Sequence, residues 1–147
     1  MIEQFDVDEV VPHGEQMILI DRILEYDDST LMAEVVITEE SHFLNDFGQV
    51  PAWVGVEYMA QAIAAWAGIK ARLENREVGI GFLLGARRFE STVASFKLQM
   101  RLIITIQEEY FYNGMGRFAC KIIDSAAGPD QDLVSANLSV YQPAAPS

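Results

Sequence analysis

From Pro51 to Ile69 the chain reads Pro-Ala-Trp-Val-Gly-Val-Glu-Tyr-Met-Ala-Gln-Ala-Ile-Ala-Ala-Trp-Ala-Gly-Ile, nineteen residues with a single charge, Glu57. Proline is favoured at a first helical position, and the stretch predicts one long helix from Pro51 to about Glu74. Its sequence is apolar on nearly every face, so it must be buried on nearly every face. A membrane could bury it, but a carboxylate would then sit inside a segment of marginal length with no second span beside it. A sheet wrapped around one central helix also meets the requirement. The small residues Ala60, Ala62, Ala64, Ala65, Ala67 and Gly68 would let strands pack close to that helix.

The flanking pattern supplies the sheet. Ile18 to Tyr26 and Leu31 to Ile37 read as two strands joined by the turn Asp27-Asp28-Ser29, a hairpin signature. Residues 39–50 are polar and read as a loop. After the helix come strands at about 80–90, 97–112, 116–124 and 132–142. Asn113-Gly114 is a strong two-residue hairpin signal, and Gly128-Pro129-Asp130 marks a further turn. Two strands, one helix and four strands argue for an α+β fold with an antiparallel sheet rather than alternating βαβ units. The 147 residues show no composition break or repeat, so one domain spanning 1–147 is expected.

Charge and cysteine content narrow the function. Ten basic against 22 acidic side chains give a net charge of −12, which argues against a nucleic-acid or anionic-membrane binder. One cysteine, Cys120, excludes an internal disulfide framework and fits a reducing compartment. The first residues lack the basic-then-apolar form of a secretory leader, so a cytoplasmic location is expected. The charge is uneven. Residues 1–50 carry thirteen acids and one base, Arg22, whereas Arg87, Arg88, Lys97 and Arg101 outnumber Glu90 over residues 78–106. That segment could dock an acidic partner, or its charges could simply be solvated.

Within the apolar helix, Glu57 needs a reason. Burying an unpaired carboxylate is costly, and burial raises the pKa of such a group toward the range useful for proton transfer. Gln61, four residues on, can hydrogen-bond it. A buried glutamate satisfied by a backbone group or an arginine is the structural alternative. His42 lies in the loop ahead of the helix, and an imidazole with a carboxyl makes an acid–base pair. His13 reads as structural. Two histidines and one cysteine offer no metal-binding spacing, so no metal or cofactor is expected. Gly79-Ile80-Gly81 with Gly85 lacks the lysine of a phosphate loop, and Cys120 reads as core rather than nucleophile.

Taken together, these residues carry a resemblance. Pro12-His13 followed by Met17-Ile18-Leu19-Ile20-Asp21-Arg22-Ile23 resembles the opening of the β-hydroxyacyl-acyl-carrier-protein dehydratases of the FabZ type. Val56-Glu57-Tyr58-Met59-Ala60-Gln61 is similar to their helix motif, and Arg88-Phe89 with Val93 to one of their strands. The wording from Val50 to Gln61 is closer still to a divergent branch, the ApeP-like dehydratases of aryl-polyene gene clusters.

The resemblance implies a hot-dog fold, an antiparallel sheet around one long helix that dimerises by sheet extension. It implies dehydration of a 3-hydroxyacyl thioester held on an acyl carrier protein, in fatty-acid or polyene biosynthesis. Glu57 falls on the family's catalytic acid and His42 on its base. Ala52 falls on the residue whose amide polarises the thioester carbonyl, with Trp53 and Gln61 as further substrate contacts. Arg87, Arg88, Lys97 and Arg101 would meet the carrier protein. Leu44-Asn45 replaces the family's Pro-Gly after His42-Phe43, and His42 precedes Glu57 by 15 positions, one more than is usual there. Two other readings stay open: a hot-dog thioesterase using Glu57 to activate water, and a silent subunit paired with an active hot-dog chain. The dimer could be of identical or different chains.

Overall fold

A computed structural model describes residues 4–11, 18–76 and 81–143. Pro12, His13, Met17, Gly79 and Ile80 lie outside the described residues. The elements run α1 (Val7–Val10), β1 (Arg22–Tyr26), β2 (Thr30–Val36), β3 (Val50–Pro51), a 3-10 turn (Ala52–Val54), α2 (Gly55–Leu73), β4 (Phe82–Ser91), β5 (Ser95–Phe96), β6 (Arg101–Tyr112), β7 (Met115–Asp124) and β8 (Asp132–Tyr141). Six strands form one antiparallel sheet in the order β1-β2-β6-β7-β8-β4, and β3 pairs with β5 in a separate two-stranded ladder.

The sheet curls around α2, which touches β2, β6, β7 and β8. Period-two alternation aims Leu31, Ala33 and Val35, then Leu102, Ile104 and Ile106, then Phe118, Cys120 and Ile122, then Val134, Ala136 and Leu138 at the helix. Tyr58, Met59, Ala62, Ile63, Ala65, Trp66 and Ile69 fill the space from the helix side. Trp66 meets the Phe118 ring edge-on at 5.3 Å, and the Lys70 ammonium lies 4.5 Å from the Trp66 ring centroid.

The turns follow their sequence chemistry. Asp27 Oδ1 accepts from the Ser29 and Thr30 amides at 2.9 and 2.8 Å, closing the β1–β2 hairpin. Asn113 and Gly114 both take positive φ, 51° and 80°, as the tight β6–β7 turn requires. The expected strand from 97 starts later, at Arg101, because Lys97–Met100 forms a turn in which the Met100 amide donates to the Lys97 carbonyl at 3.2 Å. Helix α1, absent from the sequence reading, lies across α2. A Cβ on Gly68 would stand 2.1 Å from the Val10 carbonyl oxygen, so this close approach needs glycine.

The outer face carries one ionic knot. Glu34 is buried and is shared by Arg22, at 3.2 Å, and Arg101. Asp21 accepts a 2.7 Å hydrogen bond from the Val36 amide. Burial raises the Asp21 pKa above the ordinary carboxylate value, with the Glu34 charge adding to it and the Val36 bond opposing it.

The two sheet edges differ. β1 is interrupted by a bulge between Ile23 and Glu25, a feature that blunts edge pairing. β4 is exposed at every residue and, among the described residues, pairs only with β8; it carries Phe82, Leu83, Leu84 and Phe89 with large fractions of their side chains in water.

Candidate active site

Helix α2 turns one flank, that of Glu57, Ala60, Ala64 and Ala67, toward the β4 end of the sheet. There it borders a cavity of about 150 Å³ shared with Leu83, Phe111, Phe118 and Val140. Small residues at these helix positions leave this space beside the larger Ile63 and Trp66. The walls are mostly apolar, with Glu57 the carboxylate among the lining residues.

Glu57 itself is exposed in the single chain, contrary to the expected burial. It has no hydrogen-bond or ion-pair partner among the described residues. The reason is topological: its flank of the helix faces the unpaired β4 edge, where the sheet stops. Gln61 is buried and lines the same cavity. Its Oε1 accepts from the Leu19 amide at 2.8 Å, fastening the approach to β1 onto the helix. No hydrogen bond joins it to Glu57 among the described residues.

The loop ahead of the helix is built from two hydrogen-bonded turns. The Thr38 amide donates to Ser41 Oγ at 2.8 Å, and the Ser41 amide to the Thr38 carbonyl at 3.1 Å. Asn45 Oδ1 accepts from the Phe47 and Gln49 amides at 2.9 and 3.0 Å. His42 lies between these turns, exposed, with no hydrogen bond to a described residue. Phe43 takes a left-handed φ of 68°, uncommon for a bulky side chain and costing of order 1–3 kcal/mol where it persists. Its ring meets that of Trp53 edge-on at 5.8 Å. Trp53 is 58% exposed and does not line the cavity.

The Ala52 amide, expected to face the substrate carbonyl, instead donates to the Ala94 carbonyl at 2.9 Å, just beyond the β3–β5 ladder. The next amide, that of Trp53, has no acceptor among the described residues. It is the first unsatisfied donor at the helix start.

Of the four basic residues expected to meet a partner, Arg101 is committed to Glu34. Arg87, on the outer face opposite Asn137, Arg88 and Lys97 are exposed and carry no ion pair among the described residues. Arg88 stands at a bulge in β4 with φ 54°. The Cys120 thiol is buried in the sheet, and burial pushes its pKa up to about 12, far from that of a nucleophile. Among the described residues no group of three His, Cys, Asp or Glu side chains is placed to hold a metal ion, and no helix is long and apolar enough to cross a membrane.

The model of one family, the ApeP-like family (ApeP dehydratase), matches residues 5–147. The chain belongs to the ApeP-like dehydratase family. It is 28% identical to a chain of the dehydratase heterocomplex ApeI:P from Xenorhabdus doucetiae, with a TM-score of 0.90 over 97% of this chain and 93% of that one. It is also 37% identical over 70 residues to the 3-hydroxyacyl-[acyl-carrier-protein] dehydratase FabZ of Streptococcus pneumoniae strain CGSP14. That match takes in 47% of this chain and spans about half the length, 49%, of the curated relative. A hypothetical thioesterase from Streptococcus pneumoniae TIGR4, solved with coenzyme A, shares the fold at a TM-score of 0.64 and 13% identity, over 86% of this chain and 88% of that one. The hot-dog architecture expected for this ApeP-like chain is therefore the architecture it has.

Proposed function

We propose that this ApeP-like chain dehydrates a 3-hydroxyacyl group held as a thioester on an acyl carrier protein, in fatty-acid or aryl-polyene-like biosynthesis. The observation that carries the proposal is a carboxylate, Glu57, bordering an otherwise mostly apolar cavity along α2; the sequence resemblance supports reading it as the acid. An acyl chain can lie along the alanine flank with its β-hydroxyl near Glu57. His42 removes the α-proton, which the adjacent thioester acidifies. Negative charge moves onto the thioester oxygen, where the Trp53 amide, rather than that of Ala52, is the donor left to hold it. Glu57 gives its proton to the departing β-hydroxyl, so the C–O bond breaks, the C=C bond forms, and water and the enoyl thioester leave. No step of this chemistry calls on a cofactor.

The site is completed by a second hot-dog subunit. β4 offers ten exposed residues and an open row of backbone groups, the template for strand addition. Leu83 of that strand also borders the cavity. A strand laid against β4 would therefore close the flank on which Glu57 now faces water. The heterocomplex nature of the Xenorhabdus relative favours a non-identical partner. The 1–147 chain then acts as one hot-dog domain, in the cytoplasm, where acyl carrier proteins are charged.

The test uses the purified chain, alone and with a second hot-dog chain from the same gene neighbourhood. Each is given a 3-hydroxyacyl-carrier thioester while enoyl absorbance and free thiol are read in parallel. Enoyl absorbance without thiol is the expected result. Thiol release without enoyl makes the chain a thioesterase. Turnover that needs only the partner's intact site makes it a silent subunit.

A further inference from the structure

A base that abstracts a carbon-bound proton must be aimed, and the aim is usually set by a hydrogen bond to its second ring nitrogen. His42 has no such bond to any described residue. Its direction within this chain is therefore left to the backbone. His42, Phe43 and Leu44 bridge the turn closed by Thr38 and Ser41 and the turn closed by Asn45. The bridge reverses at Phe43, in the left-handed region that glycine or asparagine would adopt more cheaply. Core burial does not hold it there, since the Phe43 side chain is about half exposed (49%). Its ring meets that of Trp53, edge-on at 5.8 Å with planes 67° apart. Trp53 belongs to the turn that starts α2, and its own amide is the donor assigned above to the thioester oxygen.

We infer that the Phe43–Trp53 ring contact is a clasp that positions His42, holding the left-handed turn after the base against the head of α2. It fixes the base relative to the Trp53 amide, two groups that must address neighbouring atoms of one thioester. Trp53 thus acts through Phe43 as a positioning residue, not as a surface for the acyl chain. The inference rests on the reading of His42 as the base. Its signature is in turnover and loop order rather than in substrate affinity.

Four variants test it: Trp53→Ala, Trp53→Phe, Phe43→Gly, which keeps the left-handed turn and loses the ring, and the double variant Phe43→Gly/Trp53→Ala. Trp53→Ala and Phe43→Gly are each expected to lower kcat about tenfold or more, with KM changed less than about twofold. The double variant is expected to be no worse than the poorer single, because both remove one contact. Trp53→Phe is expected to recover most of kcat, because an edge-on ring pair is restored. Unchanged kcat with a raised KM, or losses that multiply in the double variant, would overturn the clasp. Amide hydrogen exchange over residues 41–49 reads the clasp without turnover. In Trp53→Ala, where the loop sequence is untouched, exchange there is expected to quicken about tenfold while α2 stays protected. Unchanged exchange overturns the clasp whatever the activity. Quickened exchange in a protein whose wild type forms no enoyl product would retain the clasp and remove the dehydratase reading.

Discussion

Replacing Gly68 by alanine sets two effects against each other. Alanine is the better helix former by about 1 kcal/mol, so an isolated α2 would gain. In the folded chain the new Cβ would stand 2.1 Å from the Val10 carbonyl oxygen, 2.8 Å from its carbon and 3.0 Å from Val10 Cα. These are backbone atoms, and they can retreat only if α1 moves. Overpacking of this kind costs about 1–3 kcal/mol. Lifting α1 away would instead expose Val7, Val10 and Val11, all buried, at up to about 1.5–3 kcal/mol each as an upper bound. A clash with backbone atoms falls at the upper end of the overpacking range, so, less the propensity gain, a net loss of roughly 1–2 kcal/mol is expected. At about 2–4 °C per kcal/mol for a chain this size, the melting temperature should fall by roughly 2–8 °C. Gly85→Ala, with nothing within 4 Å of the added atom, is the control and should be close to neutral. Thermal melts followed by circular dichroism, with urea titrations alongside, give both numbers. A Gly68→Ala protein about 1 kcal/mol more stable than wild type would show that α1 does not pack on α2 as described.

Three further outcomes follow from the charges and the thiol. Asp21 has its folded pKa raised by burial, so it contributes a loss of stability that is absent below its ordinary value of 3.8 and develops as pH climbs through the raised one; Asp21→Asn should match wild type in acid and melt higher at neutral pH, and melts at both pH values check the sign. Cys120, buried with its pKa near 12, should resist alkylation in the native protein and react once urea unfolds it, which thiol labelling measures. Reversing Arg87 and Arg88 to glutamate should lower kcat/KM for carrier-linked substrate but spare a small thioester analogue, with the difference shrinking as salt rises; equal loss on both substrates would mean packing damage.

The helix was legible because a run with one charge over residues 51–69 leaves few places to go, and α2 with its 3-10 turn occupies 52–73. The hairpins were legible because Asp27 and Asn113-Gly114 act through local geometry. What the sequence hid was decided by neighbours far along the chain. Glu57 read as buried because apolarity reports the whole helix, whereas its exposure depends on where the sheet ends. The Ala52 amide read as free because the two-residue ladder that brings Ala94 to it, Val50–Pro51 with Ser95–Phe96, has too little pattern to be seen. Arg101 read as a docking residue because its pairing with Glu34 is set by the β2–β6 register, in which Val36 faces Arg101. Helix α1 is four residues long, too short to show a period, and its contacts with α2 at Gly68 and Arg72 reveal its place.

If Glu57 is the acid of a dehydration, Glu57→Gln removes the proton the departing hydroxyl needs and little else. Because Glu57 is exposed and has no partner among the described residues, the change should alter stability by no more than about 0.5 kcal/mol. Enoyl formation from a 3-hydroxyacyl-carrier thioester, followed by absorbance with the wild-type and variant chains at equal partner concentration, should fall by about 10²-fold or more. A variant that folds normally and keeps its full rate would contradict the assignment.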